Sequence, residues 1–96
     1  MLSPGFSISP KDLWNAIATQ DAPQIIDVRR REIYDAAPGV LPTATWRDFA
    51  KVEEWADGLD RHRPVVLSCN QGKELSQAPA AWLRSEGFQA SILEGG

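Results

Sequence analysis

Cys69 is the sole cysteine of a 96-residue chain. It stands where the apolar run Pro64-Val65-Val66-Leu67-Ser68 breaks into Asn70-Gln71-Gly72-Lys73-Glu74-Leu75-Ser76, ahead of a helical pattern. A thiol at the end of a buried strand, beneath a short loop that feeds a helix, faces backbone N–H groups and the positive end of a helix dipole. Both favour the thiolate over the thiol. The thiolate is the nucleophile, so the placement points to covalent chemistry at sulfur. A free cysteine is also often no more than a small buried hydrophobe, and position alone leaves both uses open. A lone cysteine forms no internal disulfide and has no CxxC partner for redox cycling or metal binding, so a reducing compartment is expected. His62 lies between Arg61 and Arg63, before a strand begins and therefore at the sheet end opposite Cys69. It reads as an exposed loop histidine, which gives neither a Cys-His dyad nor a metal-ligand spacing. No glycine-rich dinucleotide fingerprint is present, and no cofactor is expected.

Composition narrows the partners. The apolar fraction of 43% and charged fraction of 24% suit a single small globular domain with a modest core. A formal charge of -3 argues against a nucleic-acid surface, which needs a concentrated basic face. The one basic run, Arg29-Arg30-Arg31, meets Glu32 and Asp35 at once and reads as a solvated turn that could also attract an anion. No stretch approaches the roughly 18 apolar residues of a membrane span, and the first residues lack the pattern of a signal peptide. A cytoplasmic location follows as the default.

These residues need elements to hold them. Ser9-Pro10-Lys11-Asp12 is a strong helix start, and Leu13, Trp14, Ile17 and Ala18 recur at helical spacing, predicting a helix from about Pro10 to Thr19. Phe6-Ser7-Ile8 alternates like a brief edge strand. Gln24 to Val28 is rich in β-branched residues and reads as a buried strand. One or two helical turns fit between Arg29 and Ala37, before Pro38-Gly39 turns the chain. Pro42 restricts the next strand to Ala44–Trp46. Asp48 can cap a helix ending near Asp60, whose stripe of Phe49, Val52, Trp55, Ala56 and Leu59 is core. Val65 to Ser68 is a strand, Ser76 begins a second long helix, and Pro79 then falls in its first turn, where no backbone bond is lost. Gly87 is the expected left-handed C-cap, and Ala90 to Leu93 a last strand. Alternating strands and helices in so short a chain predict βαβ units, with a mainly parallel sheet and helices on both faces. Ligands in such sheets bind beyond the carboxyl ends of the strands, where Cys69 sits.

Ile25-Ile26-Asp27-Val28-Arg29 followed by Tyr34, the turn Val40-Leu41-Pro42-Thr43-Ala44, the segment Pro64 to Gly72, Gly87-Phe88, and Leu93-Glu94-Gly95-Gly96 together resemble the rhodanese family of sulfurtransferases. The likeness spans nearly the whole chain, and the turn resembles the family's his-ile-pro-gly-ala sequence with substitutions. It implies one rhodanese-like domain over residues 1–96, a three-layer α/β sandwich around a mainly parallel five-stranded sheet. Where the family usually continues into a further turn and helix, this sequence stops. That implies a domain lacking the usual C-terminal segment, with apolar surface around Phe6 or Ile92 that a missing segment or a second copy would cover.

The implied chemistry is a two-step sulfur relay. Cys69 takes a sulfane sulfur from a small anionic donor such as thiosulfate or a persulfide, and a thiol or cyanide acceptor then removes it. The loop Asn70, Gln71, Gly72, Lys73, Glu74, Leu75 and Ser76 would cradle the anionic sulfur with its N–H groups, and Gly72 would allow a tight backbone. Lys73 could steer the donor or simply be solvated. Glu74 would bond a backbone N–H or an arginine rather than serve as a catalytic acid. Asp27 and Arg29 could line the pocket, although a structural ion pair fits them better, and Arg47 could contact a second anion. Ser76 stands seven positions after Cys69, one more than in the common family loop. Loops of that length resemble those of cell-cycle phosphatases and some arsenate reductases. Those enzymes hold their dianion with an arginine that is missing here, and an inward Glu74 would repel one. The pattern Cys69-x-x-Gly72-x-Glu74-x-Ser76-Gln77 instead resembles the rhodanese domains of chromate-resistance-associated proteins. A non-catalytic module that carries or senses sulfur, or docks a partner, stays open beside the enzyme. The expected assembly is a monomer or weak homodimer, without nucleic-acid or membrane partners.

Overall fold

The computed structural model describes residues 7–19, 22–36, 43–69 and 74–93, with residue 74 described for its backbone alone. Five strands form one all-parallel sheet: β1 (Ser7–Ile8), β2 (Gln24–Asp27), β3 (Thr45–Trp46), β4 (Val65–Ser68) and β5 (Ala90–Leu93). Their order across the sheet is β1-β5-β4-β2-β3, so β4, which delivers Cys69, is the central strand. Register follows the apolar runs, with Ile26 beside Leu67 and Asp27 beside Ser68, and Leu67 beside Ile92. Because β4 is covered on both faces, all four of its residues are buried, as expected of a parallel sheet flanked by helices.

Alternation sorts the two layers. Ile25, Val66 and Leu93 point to one face and pack on Leu13, the buried residue of α1 (Pro10–Ile17). The side chain of Ser9 caps α1 by accepting from Asp12 N–H at 3.1 Å. Ile26, Val28, Val65, Leu67 and Ile92 point to the other face. There they meet Val52 of α3 (Val52–Trp55) and Ala80 and Leu83 of α4 (Glu74–Ser85). A short helix, α2 (Arg31–Ala36), follows β2 at the carboxyl edge.

Three expectations are corrected. The helix capped by Asp48 is broken, since 3-10 turns at Phe49–Lys51 and Ala56–Gly58 flank the single α turn of α3. The apolar stripe nonetheless packs into the core as expected. Helix α4 begins at Glu74 rather than Ser76, so Pro79 lies inside it and removes a bond that Leu75 carbonyl would otherwise accept. Its ring is fully buried, and that packing offsets the lost bond only in part. Ile92 does not form an uncovered apolar surface, because it is completely buried between its neighbours; Phe6 lies outside the described residues.

Two backbone conformations are set by single residues. Gly87 has φ +94° and ends α4 with paired bonds, Phe88 N–H to Leu83 carbonyl at 3.0 Å and Gly87 N–H to Arg84 carbonyl at 3.1 Å, the expected left-handed termination. Thr43, at the position where the resembled turn carries glycine, has φ 64°. A β-branched residue is strained there.

Candidate active site

Residues 65, 67 and 69 share the face of the sheet that packs on α4, so the side chain of Cys69 continues the row of Val65 and Leu67. The chain then turns through the loop and returns as the first turn of α4 directly over that row. The result is a contact between Cys69 Sγ and Ser76 Oγ at 3.3 Å. Cys69 is 2% exposed and Ser76 0%, so sulfur and hydroxyl meet in a dry site. Ser76 was expected to open the helix; it is instead the third residue of α4, with its side chain turned down onto the thiol. Leu75 packs against the same core. Asn70, Gln71, Gly72 and Lys73 lie outside the described residues, as does the side chain of Glu74.

The neighbouring strand end is rigidly built. Val28 N–H donates to Ser68 carbonyl at 2.8 Å, extending the β2–β4 ladder to the residue before the thiol. Asp27 is buried, and Arg29 folds back over it. Arg29 Nε donates to both carboxylate oxygens at 3.0 and 2.9 Å, Arg29 Nη2 to Oδ2 at 2.6 Å, and the Arg29 backbone N–H to Oδ1 at 3.0 Å. Bonding to the Asp27 carboxylate raises the guanidinium pKa above its ordinary value, against the smaller opposing effect of burial. The pair is structural: its charge is spent internally, fixing the turn from β2 into α2.

Around it lies a feature that the sequence reading took for a solvated turn. Arg29 sits over the Tyr34 ring at 5.5 Å, Arg30 over Phe49 at 5.6 Å, and Arg31 over Trp46 at 4.9 Å. Trp46 Nε1 donates to Arg29 carbonyl at 2.8 Å, tying β3 to this turn. The parallel register of β2 and β3 brings these rings together across long sequence gaps. Arg47 is exposed, donates to Trp46 carbonyl at 2.8 Å, and lines a cleft with Thr45, Trp55 and Arg63. His62 is exposed in the turn before β4, as expected, its N–H bonded to Asp60 Oδ1 at 2.8 Å. Among the described residues no cluster of His, Cys, Asp and Glu could hold a metal, and no helix is long and apolar enough to cross a membrane.

A parallel α/β sandwich with one thiol at the carboxyl end of its central strand, under the first turn of a helix, defines a class of loop-cysteine domains. Within it, the family model described as Rhodanese-like domain matches residues 9–96, and the chain belongs to that family. Among solved structures, a rhodanese-like domain protein from Staphylococcus aureus is similar at 26% identity and TM-score 0.78, covering 94% of this chain and 85% of that one. A rhodanese-related protein from Thermoplasma volcanium is similar at 25% identity and TM-score 0.76, covering 94% and 84%. A Staphylococcus saprophyticus protein at 23% identity and TM-score 0.76 shares the fold. No curated protein matches the sequence.

Proposed function

We propose that this domain is a sulfurtransferase working through a Cys69 persulfide. The observation that carries the reading is the burial of Cys69 Sγ against Ser76 Oγ under the first turn of α4, where helix N–H groups and dipole favour negative charge. The Cys69 thiolate attacks the outer sulfur of thiosulfate. A new S–S bond forms, the thiosulfate S–S bond breaks, and sulfite leaves with the electron pair, so one dianion is consumed and one released. The persulfide anion then yields its terminal sulfur to cyanide as thiocyanate, or to a thiolate as a new persulfide, and Cys69 returns as thiolate. The Ser76 hydroxyl, 3.3 Å from Sγ, donates to the Cys69 thiolate before it attacks and again when it is released as leaving group. The loop pattern from Cys69 to Gln77 further supports a place near the rhodanese domains of chromate-resistance-associated proteins.

A sulfur-carrying or sensing module without useful turnover is the second reading, favoured by the burial of Cys69 at 2% exposure. Thiosulfate and cyanide distinguish the two. Thiocyanate forming with the wild type and not with Cys69→Ser supports the enzyme, whereas equal background in both supports the module. Intact mass after thiosulfate alone should show one added sulfur on Cys69.

A further inference from the structure

The cleft that Arg47 borders, at the β3 margin of the sheet, has a volume of about 290 Å³, with Arg63, Thr43, Thr45, Trp55 and Leu59 around it. Its lining carries two guanidinium groups and no carboxylate; Asp48, Lys51 and Glu54 line the neighbouring basin instead. Among the described residues neither arginine has a carboxylate partner, in contrast to Arg29 and Arg31. Each is oriented by a backbone carbonyl. Arg47 Nη1 donates to Trp46 carbonyl at 2.8 Å, and Arg63 Nε and Nη2 donate to Ala22 carbonyl at 3.2 and 2.9 Å. The turn that bears Arg63 is itself pinned to β2, since Gln24 Nε2 donates to Asp60 carbonyl and Gln24 Oε1 accepts from Asp60 N–H, both at 2.8 Å. Two oriented guanidinium groups on one cleft, their charge not spent on a carboxylate, make a site for an anion.

The backbone supplies an independent observation. Thr43 lines this cleft at φ 64°, a conformation that glycine adopts without strain but with no hydroxyl to offer. Strain of this kind persists where a side chain is used. One arginine fork already satisfies a planar carboxylate. Two guanidinium groups, with the hydroxyls of Thr43 and Thr45, supply donors for several oxygens and balance two negative charges, which is what a phosphate dianion requires. At ~30 Å³ per liquid water, the cleft is also larger than a bare phosphate, and Trp55 and Leu59 give an organic body an apolar wall. We propose that it binds a small phosphomonoester, with the phosphate on Arg47 and Arg63 and the apolar portion against Trp55 and Leu59. Gln24, at one end of the cleft, is paired with Val65. Cys69 lies four residues further along that strand, roughly 13 Å away at ~3.3 Å per residue. The phosphate site is therefore separate from the thiol and does not depend on its chemistry.

The probe is phenyl phosphate, titrated into the isotope-labelled protein slightly above neutral pH, where it is a dianion, with the Trp55 indole N–H resonance as reporter. Phenyl sulfate, benzoate and inorganic phosphate are titrated beside it. Phenyl phosphate should bind about tenfold more tightly than the two monoanions, and more tightly than inorganic phosphate. Arg47→Gln and Arg63→Gln should each raise its Kd about tenfold, the loss of one charged hydrogen bond. Thr43→Gly should raise the Kd about fivefold while raising the urea midpoint, so that weaker binding is not a folding defect. Both arginines are exposed, and circular dichroism checks that their variants fold. Phenyl sulfate binding as tightly as phenyl phosphate, inorganic phosphate binding as tightly as the ester, or a Kd unmoved in both arginine variants overturns the proposal. Cys69→Ser should bind the probe as the wild type does, and loss of binding there would put the anion at the thiol and overturn the assignment as well. Thiocyanate formation is measured separately, so failure of the sulfurtransferase reading leaves this result untouched.

Discussion

The hydroxyl oxygen of Ser76 lies 3.3 Å from the sulfur of Cys69, joining the end of the central strand to the first turn of the helix above it. The two residues are buried together, so water does not compete for the contact. On the proposed mechanism the partner is a thiolate, and a hydrogen bond to a charged group contributes about 1.5–3 kcal/mol.

Ser76→Ala should therefore lower kcat/KM for thiosulfate by about tenfold while the protein stays folded. Steady-state thiocyanate formation at several donor concentrations checks it. A rate equal to wild type would remove the hydroxyl from the mechanism.

Asp27→Asn leaves Arg29 without its carboxylate in a half-buried turn. Breaking a buried pair by removing one partner costs about 3 kcal/mol, readable as a lower urea midpoint. The raised pKa of Arg29 fixes the sign of any pH effect. A base whose folded pKa lies above its unfolded value contributes stability fully below the unfolded pKa and loses it only as pH rises through the folded one. Since arginine ordinarily titrates far above neutral pH and here is raised further, the wild-type advantage over Asp27→Asn should hold level between about pH 6 and 9.

Thr43 and Gly87 predict opposite changes. Thr43→Gly relieves a left-handed conformation at φ 64° and should stabilise by about 1 kcal/mol. Gly87→Ala introduces the same strain at φ +94°, where the added Cβ would meet Arg61 Nη1 at an ordinary 3.6 Å. Strain rather than collision is then the cost, about 1 kcal/mol. Equilibrium unfolding should move the two midpoints apart.

Pro79→Ala restores a donor for the Leu75 carbonyl and gains about 3 kcal/mol of helix propensity. It removes a fully buried ring worth about 1.5 kcal/mol of burial. Net stabilisation of about 1.5 kcal/mol is expected, and a destabilised variant would show that ring packing outweighs the missing bond.

Much of this architecture could be read from the chain because its strands are short apolar runs and its helices carry strong end signals. Ser9 and Gly87 act as their residue types require. The start of α4 was misplaced for a physical reason: proline disfavours a helix interior, so Pro79 suggested a later beginning than packing permits. Ser76 read as the first residue of the helix, whereas it is buried in the first turn beside the sulfur. The stacking of Arg30 and Arg31 on Phe49 and Trp46 could not be read at all. It depends on β2 and β3 lying side by side, a neighbour relation that local spacing does not encode.

Both margins of the sheet are made by strands of two residues, β1 and β3. Each presents almost no open ladder on which a foreign strand could grow. Among the described residues, a central strand that is a continuous apolar run is thus flanked by margins that give foreign strands little to pair with.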